Sequence, residues 1–358
     1  MDKVAQRDRL FEMMMGYQAV WILDVGLRSA LLRELAEHPE GISEERIVTA
    51  LGYDPAYVRT WLRAAYAYEI VEFENGSYKL APHLAELLLD ASEPLYLGGR
   101  IGFFASLYED FRAFPARLAD GKPFWRKDHD PALLRGIMET SKPDFRIMTD
   151  RVFPQADGLI ERLTAGGTIL DLGCGAGFGV AHFAATYPAA TVVGVDPEPA
   201  QLELARGNVA AAGVEGRVTL QEGDARLLGN EVPFDLIVMN ISLHETGGHD
   251  DWKNVLVRVR RALRPRGWLL VSELPYPGTV EEYRGSPAYK LLAGVQFHEI
   301  LTRCGMITIP QLAELLRSAD FGMIRRVDQP NPTRIMFLAQ KKENQSAMPP
   351  TKRVGGAA

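Results

Sequence analysis

The sequence predicts an α/β protein, with a doubly wound parallel sheet in its C-terminal half and a mainly α-helical region before it. Three observations carry this. Between about 160 and 340, short and almost wholly apolar runs recur, each followed by a helical pattern, as parallel strands covered on both faces require. One such run ends directly in the glycine string Gly173-Cys174-Gly175-Ala176-Gly177. Upstream of residue 90 the apolar residues recur at helical spacing instead.

Met13, Met14, Val20, Ile22, Leu23, Val25, Leu31, Leu32 and Leu35 are spaced for helices between Arg9 and Glu37. Ser43 is expected to cap a further helix. Asp54, with Pro55 in the first turn, is expected to cap another that carries Val58, Trp61, Leu62 and Ala65. Two short strands, 70–73 and 78–80, flank an Asn75-Gly76 turn. Helices followed by a hairpin follow the order of a winged helix, which sets 1–90 apart as a domain. Residues 91–160 are rich in aromatics and Arg and are expected to form a helical linker lining a substrate pocket. Segment 161–342 carries strands at 168–171, 191–196, 218–221, 234–239 and 267–272 and is expected to form the cofactor-binding catalytic domain. Residues 343–358 lack periodicity and read as a disordered tail.

With 358 residues, 47% of them hydrophobic, the chain can bury two cores. The net charge of -6 offers no basic field for nucleic acid. Residues 1–90 hold nine Lys+Arg against fifteen Asp+Glu, whereas a winged helix that docks on DNA needs a basic face. A DNA-binding regulator is therefore the disfavoured alternative. No apolar run reaches the roughly 18 residues that span a bilayer, so no membrane association is expected. The charged N-terminal stretch lacks the apolar core of a secretion signal, and two cysteines imply no disulfide framework. A cytoplasmic location is expected.

Glycines between a strand and a helix let the backbone turn tightly and approach a ligand, although tight structural turns give the same string. Two carboxylates sharpen the signal. Asp196 ends the next strand, where an acid can accept from both ribose hydroxyls. Asp224, before Ala225, ends the third, where an adenine edge is expected. The spacing is Gly-x-Gly-x-Gly rather than Gly-x-Gly-x-x-Gly. Asp171 ahead of the loop also suits a cationic amino acid end better than a pyrophosphate.

In these residues the stretch 168–272 resembles the class I S-adenosylmethionine (SAM)-dependent methyltransferases. The resemblance implies a Rossmann-like fold. It also implies a SAM site made by Asp171, Gly173, Gly175, Gly177, Asp196, Asp224, Ala225 and Asn240. The whole chain resembles small-molecule O-methyltransferases that dimerise through an N-terminal winged-helix domain, and relatives that methylate carbon. A homodimer acting on a small molecule in natural-product biosynthesis is the implied setting.

The resemblance also supplies the chemistry. Asn240-Ile241-Ser242-Leu243-His244-Glu245 follows the fourth strand, beyond whose carboxyl end ligands lie. His244 matches the general base of the O-methyltransferases, and Glu273 one of the two carboxylates that flank it. Gln311 stands where the second is usual. That departure favours another reading, in which His244, Glu245 and His298 bind a divalent or iron-type metal. This set resembles the metal-dependent α-keto acid C-methyltransferases, where the metal acidifies the carbon next to a 2-oxo acid. Glu299 is the substitute for Glu245. Metal-assisted C-methylation is the first expectation, and metal-free O-methylation of a phenolic or enolic hydroxyl by His244 the alternative. Candidate substrate contacts are Arg100, Phe103, Phe104, Tyr108 and Met148, with Tyr17 from a partner subunit.

Overall fold

A computed structural model of the chain describes residues 2–124, 131–228 and 233–343. The chain divides into two compact units, 1–150 with 290–304, and 151–289 with 305–358. Residues 91–150 thus pack into the first unit, and so does 290–304, which chain order alone assigns to the catalytic segment. The tail expected to be disordered lies, apart from Glu343, outside the described residues.

The first unit begins with α1 (Lys3–Arg28), α2 (Leu31–Ala36), α3 (Glu44–Leu51) and α4 (Pro55–Ala67). The antiparallel hairpin β1 (Val71–Glu74) and β2 (Ser77–Leu80) follows. The caps are those the sequence signals. Ser43 accepts from the N–H of Arg46, and Asp54 from those of Ala56 and Tyr57. Asn75 and Gly76 both take positive φ, 51° and 80°, which closes the hairpin in two residues. Leu32, Leu35, Ile42, Ile47, Leu62 and Ala65 form a fully buried core. Trp61 anchors α4 to α1 by donating from Nε1 to the Ile22 carbonyl at 2.9 Å. Next come α5 (Leu84–Leu89), α6 (Gly98–Ser106), α7 (Tyr108–Asp120), α8 (Pro131–Thr140) and α9 (Lys142–Ile147).

The second unit runs α10 (Leu159–Thr164), β3 (Thr168–Leu172), α11 (Phe178–Thr186), β4 (Thr191–Asp196), α12 (Pro199–Ala211), β5 (Val218–Glu222) and β6 (Phe234–Asn240). It continues with α13 (His249–Ala262) and β7 (Leu263–Glu273). The chain then enters α14 (Pro287–Leu301), which from Lys290 belongs to the first unit. It returns for α15 (Ile309–Ser318), β8 (Phe321–Val327) and β9 (Ile335–Lys341).

Among the described residues, seven strands form one sheet in the order β5-β4-β3-β6-β7-β9-β8. It is parallel except for β9, which runs antiparallel to β7 and β8. The five parallel strands are those read from the sequence. The terminal pair is an addition: no helix separates β8 from β9, so they break the strand–helix alternation that identifies the others. From β3 the chain moves outward to β4 and β5, then returns to β6. That reversal opens a crevice at the carboxyl ends of β3 and β6. Leu170, Ile237, Met239, Leu269 and Val271 are buried on the face covered by Leu256, Leu315 and Leu316. Among the described residues no helix is long and apolar enough to cross a membrane.

Candidate active site

The crevice is lined by the glycine loop. At Gly173, φ is +80° and a Cβ would meet the Ser242 Cβ at 2.4 Å. At Gly177 a Cβ would meet that of Ala205 on α12 at 2.7 Å. Side chains at either place would hold the loop off its neighbours. The Gly175 N–H donates to Asp196 Oδ2 at 2.8 Å, and the Glu198 N–H donates to Asp196 Oδ1 at 3.0 Å. The acid that ends β4 is thereby aimed along the loop.

Several buried polar atoms here have no hydrogen-bond partner among the described residues: Asp171 Oδ2, both amide atoms of Asn240, Ser272 Oγ and Gln201 Oε1. Register places Asp171 opposite Val238 and Asn240 opposite Ser272. Asp171, Asn240 and Ser272 therefore share one face at the carboxyl end of the sheet. Burial first, and the charge of Asp196 second, push the Asp171 carboxyl up to about 7. An unpaired buried polar group costs roughly 1–3 kcal/mol, and a ligand with donors and a positive charge relieves that cost. Sulfonium, ammonium and hydroxyl groups have that chemistry, so these residues fit SAM. Burial, ahead of the two nearby carboxylates, raises the Cys174 thiol and keeps it from acting as a thiolate nucleophile.

Asp224, expected to end its strand, stands two residues past the end of β5 and caps the turn that follows. Arg226 from its own turn binds both carboxylate oxygens and holds the carboxyl below its ordinary range. Ala225 beside it is buried.

The turn after β6 is tightly braced. Ile241 takes a φ of +55°, a strained conformation for a β-branched residue. Its N–H donates to the Ser272 carbonyl at 2.8 Å, and the Ser242 hydroxyl to the Leu172 carbonyl at 2.7 Å. This turn delivers His244, whose Nδ1 lies 2.7 Å from Glu273 Oε2 at the end of β7. Glu273 Oε1 accepts from the N–H groups of Leu243 and His244 at 3.0 and 3.2 Å. Glu273 thus serves the whole turn, one oxygen at the imidazole and the other at two backbone N–H groups. Both residues are buried. Glu245 is exposed, in the same unit.

Gln311 is not part of this arrangement. It is exposed and closes a capping box on α15 with Thr308, accepting from the Thr308 N–H at 2.9 Å. Gln311 thus stands at the start of the late helix, the place where the sequence puts it.

His298 lies in the first unit, buried on α14. Its Nδ1 is 2.9 Å from Oδ2 of the fully buried Asp110 on α7, and the Phe103 ring stands edge-on at 6.3 Å. Glu299 is buried beside it. Phe103 packs on Phe104 at 5.2 Å, Met148 is fully buried, and Arg100 is half-buried on α6. Tyr108 packs on Trp21 at 6.0 Å. Tyr17 on α1 is 62% exposed. Sequence reasoning missed Asp110, Gln201 and Ser272. Their neighbours in sequence are those of ordinary helices and strands, and only the burial of their polar atoms marks them.

Residues 169–267 match the family model described as a methyltransferase domain. The chain carries a methyltransferase domain. Residues 18–89 match an Rv2258c-like winged HTH domain. The chain is 32% identical over 148 residues to trans-aconitate 2-methyltransferase of Methylobacterium nodulans, 41% of this chain and 51% of that protein. The chain thus spans about half the length of the curated relatives it matches. Its fold is similar to that of an O-methyltransferase family protein from Burkholderia thailandensis (TM-score 0.67, 19% identity, 96% of this chain and 100% of that one). It is also similar to human N-acetylserotonin methyltransferase, solved in complex with SAM (TM-score 0.66, 18% identity, 96% and 99%).

Proposed function

We propose that the protein transfers a methyl group from SAM to an acidic hydroxyl of a small molecule, with His244 as general base. The observation that carries this reading is the buried His244–Glu273 pair on the turn that closes the cofactor crevice. SAM, when bound, supplies an electrophilic methyl group on a sulfonium. Asp171 and Asn240 are suited to its charged amino acid end, and Asp196 to its ribose. Asp224 and Ala225 border the adenine side. Glu273 orients the imidazole so that Nε2 accepts the hydroxyl proton as the oxygen forms its new bond to carbon. The pairing also stabilises the imidazolium that results. Positioning supplies most of the remaining acceleration, because the methyl group needs no activation by protein.

The test is transfer of labelled methyl from SAM to phenolic and enolic acceptors, alongside S-adenosylhomocysteine (SAH) binding by calorimetry. Micromolar SAH binding is expected, with chelator-insensitive transfer that is lost in His244→Ala. Failure of the wild-type protein to bind SAH sinks the proposal.

Metal-assisted C-methylation of a 2-oxo acid, through His244, Glu245 and His298, is the second reading. Supporting it, His298 as well as His244 has its Nδ1 on a buried carboxylate, an arrangement that orients metal-ligating imidazoles. Stoichiometric metal in the purified protein, lost in His298→Ala, decides for it.

We further propose a homodimer formed through α1. Its apolar residues Leu10, Phe11, Met13, Met14 and Tyr17 are each more than half exposed. Sedimentation of the wild type and of Phe11→Glu/Met14→Glu tests this, with a monomer expected for the variant alone.

A further inference from the structure

The side of α12 that faces the glycine loop presents Gln201, Ala205 and Asn208, spaced at i, i+4 and i+7 so that they share one face. Two of the three have finished contacts. Ala205 abuts Gly177, and Asn208 Nδ2 donates to the Ala176 carbonyl at 2.8 Å. Gln201 does not. Its Oε1 is shielded from solvent and has no donor. A Cβ placed on Gly175 would lie 4.0 Å from that oxygen, so it looks across the loop at Gly175. The Gly175 N–H cannot satisfy it, being committed to Asp196 Oδ2. Bracing of the loop is therefore complete without Gln201, while the shielded acceptor still incurs its desolvation cost.

We propose that Gln201 is a cofactor-binding residue whose Oε1 accepts from a ribose hydroxyl of SAM, beside Asp196. Placement selects the ribose over the other donors of the cofactor. Gln201 lies five residues after Asp196 on the helix that follows β4, and the Gly175 N–H links the loop position it faces to the Asp196 carboxylate. Asp171 and Asn240, suited to the amino acid end, stand on β3 and β6. The adenine side, at Asp224 and Ala225, follows β5. Each Asp196 oxygen already accepts one backbone N–H. A second acceptor lets the two ribose hydroxyls be held by more than one crowded carboxylate.

This inference rests on the SAM reading, and its test separates the two. SAH and its 2′-deoxy and 3′-deoxy analogues are titrated calorimetrically into wild type, Gln201→Met and Gln201→Glu. Met keeps the bulk and removes the acceptor, whereas Glu keeps an acceptor. Gln201→Met is expected to weaken SAH roughly tenfold, the worth of one hydrogen bond. Wild type is expected to lose about as much with one deoxy analogue, and Gln201→Met to be indifferent to that same loss. Gln201→Glu should retain the discrimination. Equal SAH affinity in wild type and Gln201→Met overturns the proposal, as does a full further loss when the variant meets each of the two deoxy analogues. Absence of SAH binding by the wild type overturns the SAM reading itself. Unchanged thermal unfolding of the ligand-free variants shows that the effect is on binding.

Discussion

Asp110 Oδ2 lies 2.9 Å from His298 Nδ1 inside the first unit, joining residues 188 positions apart. The Asp110 side chain is fully buried and that of His298 nearly so. A pair like this contributes little net attraction, because both groups give up water to form it. Losing one partner is the costly event. Asp110→Ala is expected to lower the free energy of unfolding by about 3 kcal/mol, measured by urea denaturation. The double variant with His298→Ala should cost less than the two single losses together.

The His244–Glu273 pair makes a prediction about rate rather than stability. His244→Ala is expected to lower kcat by about 10²- to 10⁴-fold, the usual worth of a general base. SAH affinity should stay unchanged, since the imidazole receives the substrate proton. Glu273→Gln keeps the shape but loses the charge that stabilises the imidazolium, and should lower kcat at least about tenfold. Steady-state kinetics beside SAH titrations check both. A large loss of SAH affinity in His244→Ala counts against the assigned role.

The raised carboxyl of Asp171 predicts opposite pH trends for stability and binding. Between its ordinary value of 3.8 and about 7, the folded ligand-free protein holds this proton and the unfolded chain does not. The Asp171 contribution to stability is thus full at the acid end, declines as pH rises through that window and levels off above it. The ammonium group shared by SAM and SAH prefers the carboxylate, so affinity for either should fall as pH drops below about 7. Thermal unfolding and SAH titrations from pH 5.5 to 8.5 test the pair. Asp171→Asn should flatten both slopes.

The loop glycines should differ in their tolerance of a methyl group. Gly173→Ala brings a Cβ to 2.4 Å from Ser242 Cβ at a φ of +80°. Gly175→Ala has a φ of +50° and nothing nearer than 4.0 Å. The second change is expected to cost about 1–2 kcal/mol, the left-handed penalty alone, and the first clearly more. Denaturant unfolding of both variants decides, and equal costs contradict the packing described.

Local signals made much of this legible in advance. Ser43 and Asp54 cap because their oxygens reach backbone N–H groups two or three residues on. Asn75-Gly76 turns because both residues accept positive φ. The five parallel strands announce themselves as apolar runs because both faces of their sheet are covered. β8 and β9 had no such rhythm, since an antiparallel pair needs no helix between its strands. Glu273 was legible through a motif, but its clamp on Leu243 and His244 was not.

By itself, the sequence determined the α/β class, the glycine loop, the acids that end the strands, and His244 beyond β6. Each of these is a matter of spacing along a few residues, where backbone geometry acts directly. Only the tertiary structure decided which imidazole receives which carboxylate, and that Gln201, Asn240 and Ser272 hold polar atoms in reserve. Those outcomes depend on which groups lose water together. Desolvation is a property of packing between distant segments, and no local pattern encodes it.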